Sequence, residues 1–83
     1  MYSFAFMINQ FLLKEFGDRI KQLRLQKNIS QEKLSFLTGF HRTYIGMIER
    51  GERNISVINI IALCKALKVR PSDLFKNLDD LIK

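Results

Sequence analysis

Apolar residues recur along the chain at intervals of three and four. No stretch alternates with period two for long enough to argue for a strand, so the pattern predicts helices throughout. Leu12, Phe16, Ile20 and Leu23 share one stripe of a first helix ending near Lys27. Its start is open between two candidate caps, Ser3 and Asn9. Four further helix starts have a common arrangement, in which an apolar residue before the N-cap packs on the fourth helical residue. Ile29 precedes Ser30 and faces Leu34; Phe40 precedes His41 and faces Ile45; Ile55 precedes Ser56 and faces Ile60; Val69 precedes Arg70 and faces Leu74. Ser30 and Ser56 carry hydroxyls that accept from an unpaired N–H of the first turn. Pro71 suits a first helical position, where its missing N–H costs nothing. Arg70 is a poor cap. Gly39 and Gly51 each follow a short helical run, where glycine accepts the left-handed conformation that ends a helix. The predicted elements are therefore the first helix, then 31–38, 42–50, 57–67, and a fifth from Pro71 to near Ile82. This is an all-α, five-helix fold in one domain spanning residues 1–83.

The fourth helix is apolar around most of its circumference, with only Asn59, Lys65 and Lys68 clearly polar in and just after it. Such a helix is buried on more than one side. The fifth shows Leu74, Phe75, Leu78, Leu81 and Ile82, a full apolar face. A chain of 83 residues can hardly cover both from within. A homodimer interface built from these two helices is the natural solution, with Ile58, Ile61, Leu78 and Leu81 as its candidates.

The second helix, a three-residue turn and the third helix together occupy Gln31 to Arg50. Leu34, Phe40, Ile45 and Ile48 fall where two steeply crossing helices bury side chains. Ser35 is small where they approach most closely, and Gly39 opens the turn. This is the helix-turn-helix arrangement, whose second helix enters the major groove of duplex DNA.

Charge agrees with that arrangement. The formal net charge is +6, and between Arg19 and Arg53 eight Lys/Arg stand against three Glu. A basic middle suits either a polyanionic partner or a solvated surface. Cys64 is the only cysteine, which excludes an internal disulfide, fits a reducing cytoplasm and reads as a small buried hydrophobe. Met1 to Leu13 is apolar and aromatic, but it is shorter than the ~20 residues that span a bilayer. It also lacks the basic start and cleavage site of a signal peptide, so no membrane role is expected. One His, one Cys and no carboxylate pair in an evident cleft offer neither a nucleophile–base set nor a metal site. Neither an enzyme nor a cofactor is expected.

The motifs "IKQLRLQKNISQEKL", "HRTYIGMIERGERN" and "IIALCKALKVRPSDLF" resemble the lambda-repressor-like, or XRE-type, regulators over Phe16 to Phe75. More narrowly, "HRTYI" followed by "IERGERNIS" looks like the controller proteins of restriction–modification systems, small dimers without a further domain. Three positions depart from the family pattern: Ser35 stands where alanine is preferred, Gly46 lies mid-helix, and Ile55 replaces a frequent proline. The resemblance implies five helices with the third in the major groove. It also implies that Glu49 pairs with Arg24 and ties the third helix to the first.

With Ile45 and Ile48 inward, Thr43, Gly46, Met47 and Arg50 lie roughly opposite, and Arg42 begins the helix. Arg42 can place its fork on the O6 and N7 acceptors of a guanine, and Thr43 can touch a thymine methyl or donate to a base edge. Arg42, Thr43 and Met47 are the candidate base readers. Gln31, at the head of the second helix, is a candidate phosphate ligand. Arg50, Arg53 and Asn54, flanking the loop after the third helix, are candidates too. Tyr44 reads as half core and half phosphate ligand, and His41 as a helix cap rather than a base reader. Gly46 serves either close approach to DNA or packing.

These features describe a transcriptional regulator that binds an inverted-repeat operator as a homodimer, with RNA polymerase as a further candidate partner. The rival is an antitoxin-type repressor of the same fold that also binds a partner toxin. In that case the Met1–Leu13 segment is an arm for the toxin rather than a longer first helix packing in the dimer.

Overall fold

In the computed structural model, which describes residues 3–81, the first helix starts at the earlier of its two candidate caps. The Ser3 hydroxyl accepts from the Phe6 N–H at 3.1 Å, and α1 runs from Phe4 to Gln26. It is followed by α2 (Gln31–Thr38), α3 (Arg42–Glu49) and α4 (Val57–Leu67). Ser30 and Ser56 cap α2 and α4 through their hydroxyls, and His41 caps α3, its Nδ1 accepting from the Thr43 N–H at 3.2 Å. Each of these boundaries falls within a residue of the sequence pattern. Two stops carry no glycine: Asn28 after α1 and Lys68 after α4 both adopt a φ of 57°. Met1, which opens the apolar N-terminal segment, lies outside the described residues.

The fifth helix differs from its expected form. It makes one turn, α5 (Pro71–Leu74), bends at Phe75, and continues as a 3₁₀ segment over Lys76–Leu81. Arg19 on α1 donates from Nε to the Asp73 carbonyl at 2.7 Å. That carbonyl is the acceptor a continued α-helix would need for residue 77. The Asp73 carboxylate turns back to accept from the Arg70 N–H at 2.9 Å, supplying the cap that the Arg70 side chain does not. The three-residue period of the 3₁₀ segment then stacks Leu78 and Leu81 on one side, against α1. Ile82, expected on this apolar face, lies outside the described residues.

The core gathers Phe16, Ile20 and Leu23 of α1, Leu34 of α2, Ile45 and Ile48 of α3, Leu63, Cys64 and Leu67 of α4, and Leu74 and Leu78. The staple residues Ile29, Phe40, Ile60 and Val69 pack on its edge. Burial, and after it the charge of Asp73, pushes the Cys64 thiol above its ordinary range, consistent with a packing role. At Gly17, α1 runs directly against the last turn of α3. A side chain there would collide with the Ile48 carbonyl oxygen and lie 2.7 Å from that of Glu49.

One protomer covers only one side of α4. Val57, Ile58 and Ile61 stay exposed, Ile58 at 81%. Leu78 is a correction to the expected interface: one turn after Leu74, it packs into the protomer core and is 9% exposed. Leu81 is half-buried against the same core.

Candidate nucleic-acid interface

The turn between α2 and α3 is closed by side chains as well as by backbone. Gly39 takes a φ of 78°, the left-handed conformation that a side chain disfavours. The Thr38 hydroxyl donates to the Leu34 carbonyl at 2.8 Å and accepts from the Phe40 N–H at 3.1 Å. The Ser35 hydroxyl donates to the Phe40 carbonyl. Serine in place of alanine therefore ties the turn, a bond that alanine cannot make. Phe40 meets Tyr44 edge-on at 5.3 Å, so the turn leads directly into the first turns of α3.

The other end of α3 is anchored by charge. Arg24 donates from Nε to Glu49 Oε2 at 2.7 Å and from Nη2 to Oε1 at 3.1 Å, a two-pronged pair with both residues almost wholly buried, 6% and 4% exposed. The third arm of the Arg24 fork donates to the Ile29 carbonyl at 2.9 Å. Gln31 Nε2 donates to Glu49 Oε1 at 3.0 Å. The first three helices thus meet at one carboxylate. The expected pairing of Arg24 with Glu49 is present. Gln31 is half-buried and partly spent on it, leaving one amide hydrogen for a phosphate.

Between these anchors α3 presents its outward face. Arg42 and Thr43 are exposed, and neither side chain has a hydrogen-bond partner among the described residues. Arg42 borders a shallow groove with Glu32, Ser35, Gly39, Phe40 and His41, the outer seam of the helix-turn-helix. Tyr44 is half-buried, and its hydroxyl accepts from Asn59 Nδ2 at 3.0 Å, which leaves its own hydrogen free to donate. The Arg53 guanidinium lies 5.2 Å from the centre of the Tyr44 ring, a cation–π contact, with Nη1 3.8 Å from Met47 Sδ. Met47 is half-buried, deeper than the other two candidate base readers.

Arg50 is not free. It forms a two-pronged pair with Glu52, Nε to Oε2 at 2.8 Å and Nη2 to Oε1 at 3.2 Å. The hydrogen bonds with Arg50 hold the Glu52 carboxyl below the usual range, and the same bonds raise Arg50. Both groups face water, so a phosphate can displace Glu52 at little cost. Asn54 is exposed beside Leu12 and Leu13 of α1.

Gly46 is buried, and a methyl added there would meet only the flexible Arg50 side chain, with Nη1 at 3.1 Å. Gly46→Ala is expected to raise the unfolding free energy by up to about 1 kcal/mol through helix propensity. It is also expected to weaken operator binding, as melting curves and binding titrations on the same samples would show. Unchanged binding would remove Gly46 from the DNA contact.

Two residues of this region escape a reading of the sequence, and a third was seen without its role. Glu52 sits two positions from Arg50 in a loop, where no helical spacing marks a pair. Gly17 shows nothing special in an amphipathic helix. Asn59 did carry a signal, as a polar residue on an apolar helix, and the structure gives it Tyr44.

A helix-turn-helix family model matches residues 20–74, well over half of the chain. Control protein C.BamHI from Bacillus amyloliquefaciens is 57% identical over 60 residues, 71% of this chain and 74% of that protein. The crystal structure of the restriction–modification controller protein C.AhdI from Aeromonas hydrophila superposes with a TM-score of 0.74 at 49% identity. That match covers 76% of this chain and 96% of the other. The controller protein C.Esp1396I, solved as a tetramer in complex with its natural 35-base-pair operator, gives a TM-score of 0.75 at 34% identity over 88% of this chain and 97% of that one. With turn, anchor and exposed face in place, and with these matches, the chain belongs to the XRE-type helix-turn-helix family, among the relatives of the restriction–modification controllers.

Proposed function

We propose that the protein is a transcriptional regulator that binds an inverted-repeat operator in duplex DNA as a homodimer and controls a restriction–modification system. The observation that carries this reading is the state of α3. It is anchored at one end by a buried ion pair and led into by a turn that the Ser35–Phe40 bond ties, yet Arg42 and Thr43 project from its first turn unpaired. A rigid scaffold that leaves polar side chains unsatisfied is arranged for a ligand, and a groove of base edges satisfies them. Arg53, Tyr44 and the second amide hydrogen of Gln31 are placed to take phosphates, with Arg50 joining once Glu52 is displaced and Asn54 at the margin.

The relatives support the same reading: C.BamHI is named a control protein, and C.Esp1396I was solved on its operator. Neither name points to a toxin, and the antitoxin alternative is not carried further. One domain serves both DNA binding and self-association. It acts in the cytoplasm, where RNA polymerase is the further partner this reading implies, recruited or blocked at the operator.

Selection of bound duplexes from a random pool tests the proposal. The expected product is an inverted repeat with half-sites about 34 Å apart, one turn of duplex. Affinity for it should fall steeply with salt, and Arg53→Ala should flatten the log–log slope by about one for each protomer. Recovery of a single unpaired half-site, or of no preferred sequence, would overturn it.

A further inference from the structure

The first two turns of α1 hold no residue of the hydrophobic core. Every residue from Phe4 to Phe11 is exposed, and α1, about 34 Å long at ~1.5 Å per residue, carries them clear of the body along its 38 Å axis. Phe4, Met7, Ile8 and Phe11 follow the i, i+3, i+4, i+7 spacing of a single stripe. Their exposures are 76%, 57%, 38% and 51%. The stripe lies on roughly the opposite side of α1 from Phe16, Ile20 and Leu23, so the protomer's own core cannot cover it. Two unpacked helical turns with an aromatic stripe in water are marginal by themselves. Something covers them.

We infer that the Phe4–Phe11 arm is part of the subunit interface, its stripe packed against a second copy of this chain. This rests on the homodimer proposed above and extends it beyond α4. Two observations select that occupant. The first is continuity. Ile8 and Leu12 are one turn apart on α1, and Leu12 lines an apolar groove with Phe16, Ile55, Ile60 and Phe75. Ile60 is flanked on α4 by the exposed Val57 and Ile61. Apolar side chains therefore follow one another from the arm through this groove to the α4 face, with Asn54 also on the groove's lining.

The second observation is area. Taking ~200 Å² for a large apolar side chain, the exposed α4 residues of two protomers offer roughly 800 Å². The two arms bring the apolar total near 1,700 Å², about double what α4 alone offers a second copy. The absence of charge from Phe4 to Leu13 gives neither phosphates nor an acidic lipid surface anything to attract.

Sedimentation equilibrium of three full-length chains tests the inference: wild type, Ile58→Asp, and an arm variant combining Phe4→Gln, Met7→Gln, Ile8→Gln and Phe11→Gln. Every substituted residue is exposed in the protomer, and circular dichroism checks that helicity is kept. The expected result is a dimer dissociation constant at least tenfold higher in the arm variant, at unchanged helix content. A wild-type constant for the arm variant beside a monomeric Ile58→Asp would overturn the role of the arm and leave the α4 dimer standing. A dimeric Ile58→Asp beside a weakened arm variant would keep the arm and remove α4. A wild type that stays monomeric at micromolar concentration would remove both. If wild type is a tetramer and the arm variant a dimer of normal affinity, the arm joins dimers rather than protomers, which also overturns the inference.

Discussion

Replacing Glu49 by glutamine should lower the unfolding free energy by about 3–5 kcal/mol, the cost of removing one partner from a buried ion pair. The side chains of Arg24 and Glu49 are 8% and 3% exposed, so water cannot replace the lost carboxylate. Glutamine is nearly isosteric, but its amide nitrogen would face an N–H of the Arg24 fork, donor against donor. The Ile29 carbonyl, 2.9 Å from Nη1, and the one remaining amide oxygen would still accept from the guanidinium, but its charge would have no counter-charge. Gln31 would lose its carboxylate acceptor as well. Chemical denaturation at fixed protein concentration measures the effect, because dimerisation makes apparent stability concentration-dependent. A midpoint unchanged from wild type would mean that the pair contributes nothing. Gln31→Ala should cost only about 1 kcal/mol, because it removes a hydrogen bond and strands no charge. Replacing Arg24 and Glu49 together by apolar residues of similar volume should recover much of the loss, since the burial of charge is itself costly. What natural sequence gains from the pair is direction: a carboxylate reached from α1 and α2 fixes the angle at which α3 leaves the body.

Local chemistry made most of the fold legible. Ser30, Ser56 and Pro71 mark helix starts because a hydroxyl or a missing N–H solves a problem confined to one turn, and the structure places α2, α4 and α5 where they indicate. The fifth helix was legible only at its start. Where it turns 3₁₀, the Asp73 carbonyl is taken by Arg19, 54 residues earlier, and no local pattern encodes that bond. Leu78 was assigned to a partner because the protomer was judged too small to cover that face; one turn after Leu74, it follows Leu74 into the core. In the candidate site, helical geometry was enough to send Ile45 and Ile48 inward and Arg42 and Thr43 outward. Position along the chain set Arg42 among the base readers and Arg50 among the phosphate ligands, but it carried no sign that one is held by an ion pair and the other is not. That distinction lies in Glu52, which holds one arginine and not the other.

That separation sets the expected result for specificity. Arg42→Ala should weaken binding to the true operator by about 1–3 kcal/mol per half-site, the value of one bidentate contact to a guanine. A two-fold dimer inserts two copies of α3, so the losses add to about 2–6 kcal/mol, from roughly thirtyfold to above ten-thousandfold in affinity. Arg42 needs no rearrangement to act, because its guanidinium has no partner among the described residues and α3 is locked behind it by the Ser35–Phe40 bond and the Glu49 anchor. The substitution should leave stability nearly unchanged, since an exposed, unpaired side chain contributes little to folding. On scrambled duplexes the loss should be far smaller, because Arg53, Tyr44 and Gln31 still meet phosphates. Thr43→Ala should act in the same sense and more weakly, one methyl and one hydroxyl against a five-donor fork. The measurement is a titration of wild type and both variants against operator and scrambled duplexes at one salt concentration. If Arg42→Ala weakens both duplexes equally, Arg42 grips only the backbone. The reading of sequence then passes to Thr43, to Met47 beside Arg53, or to the shape of the duplex itself.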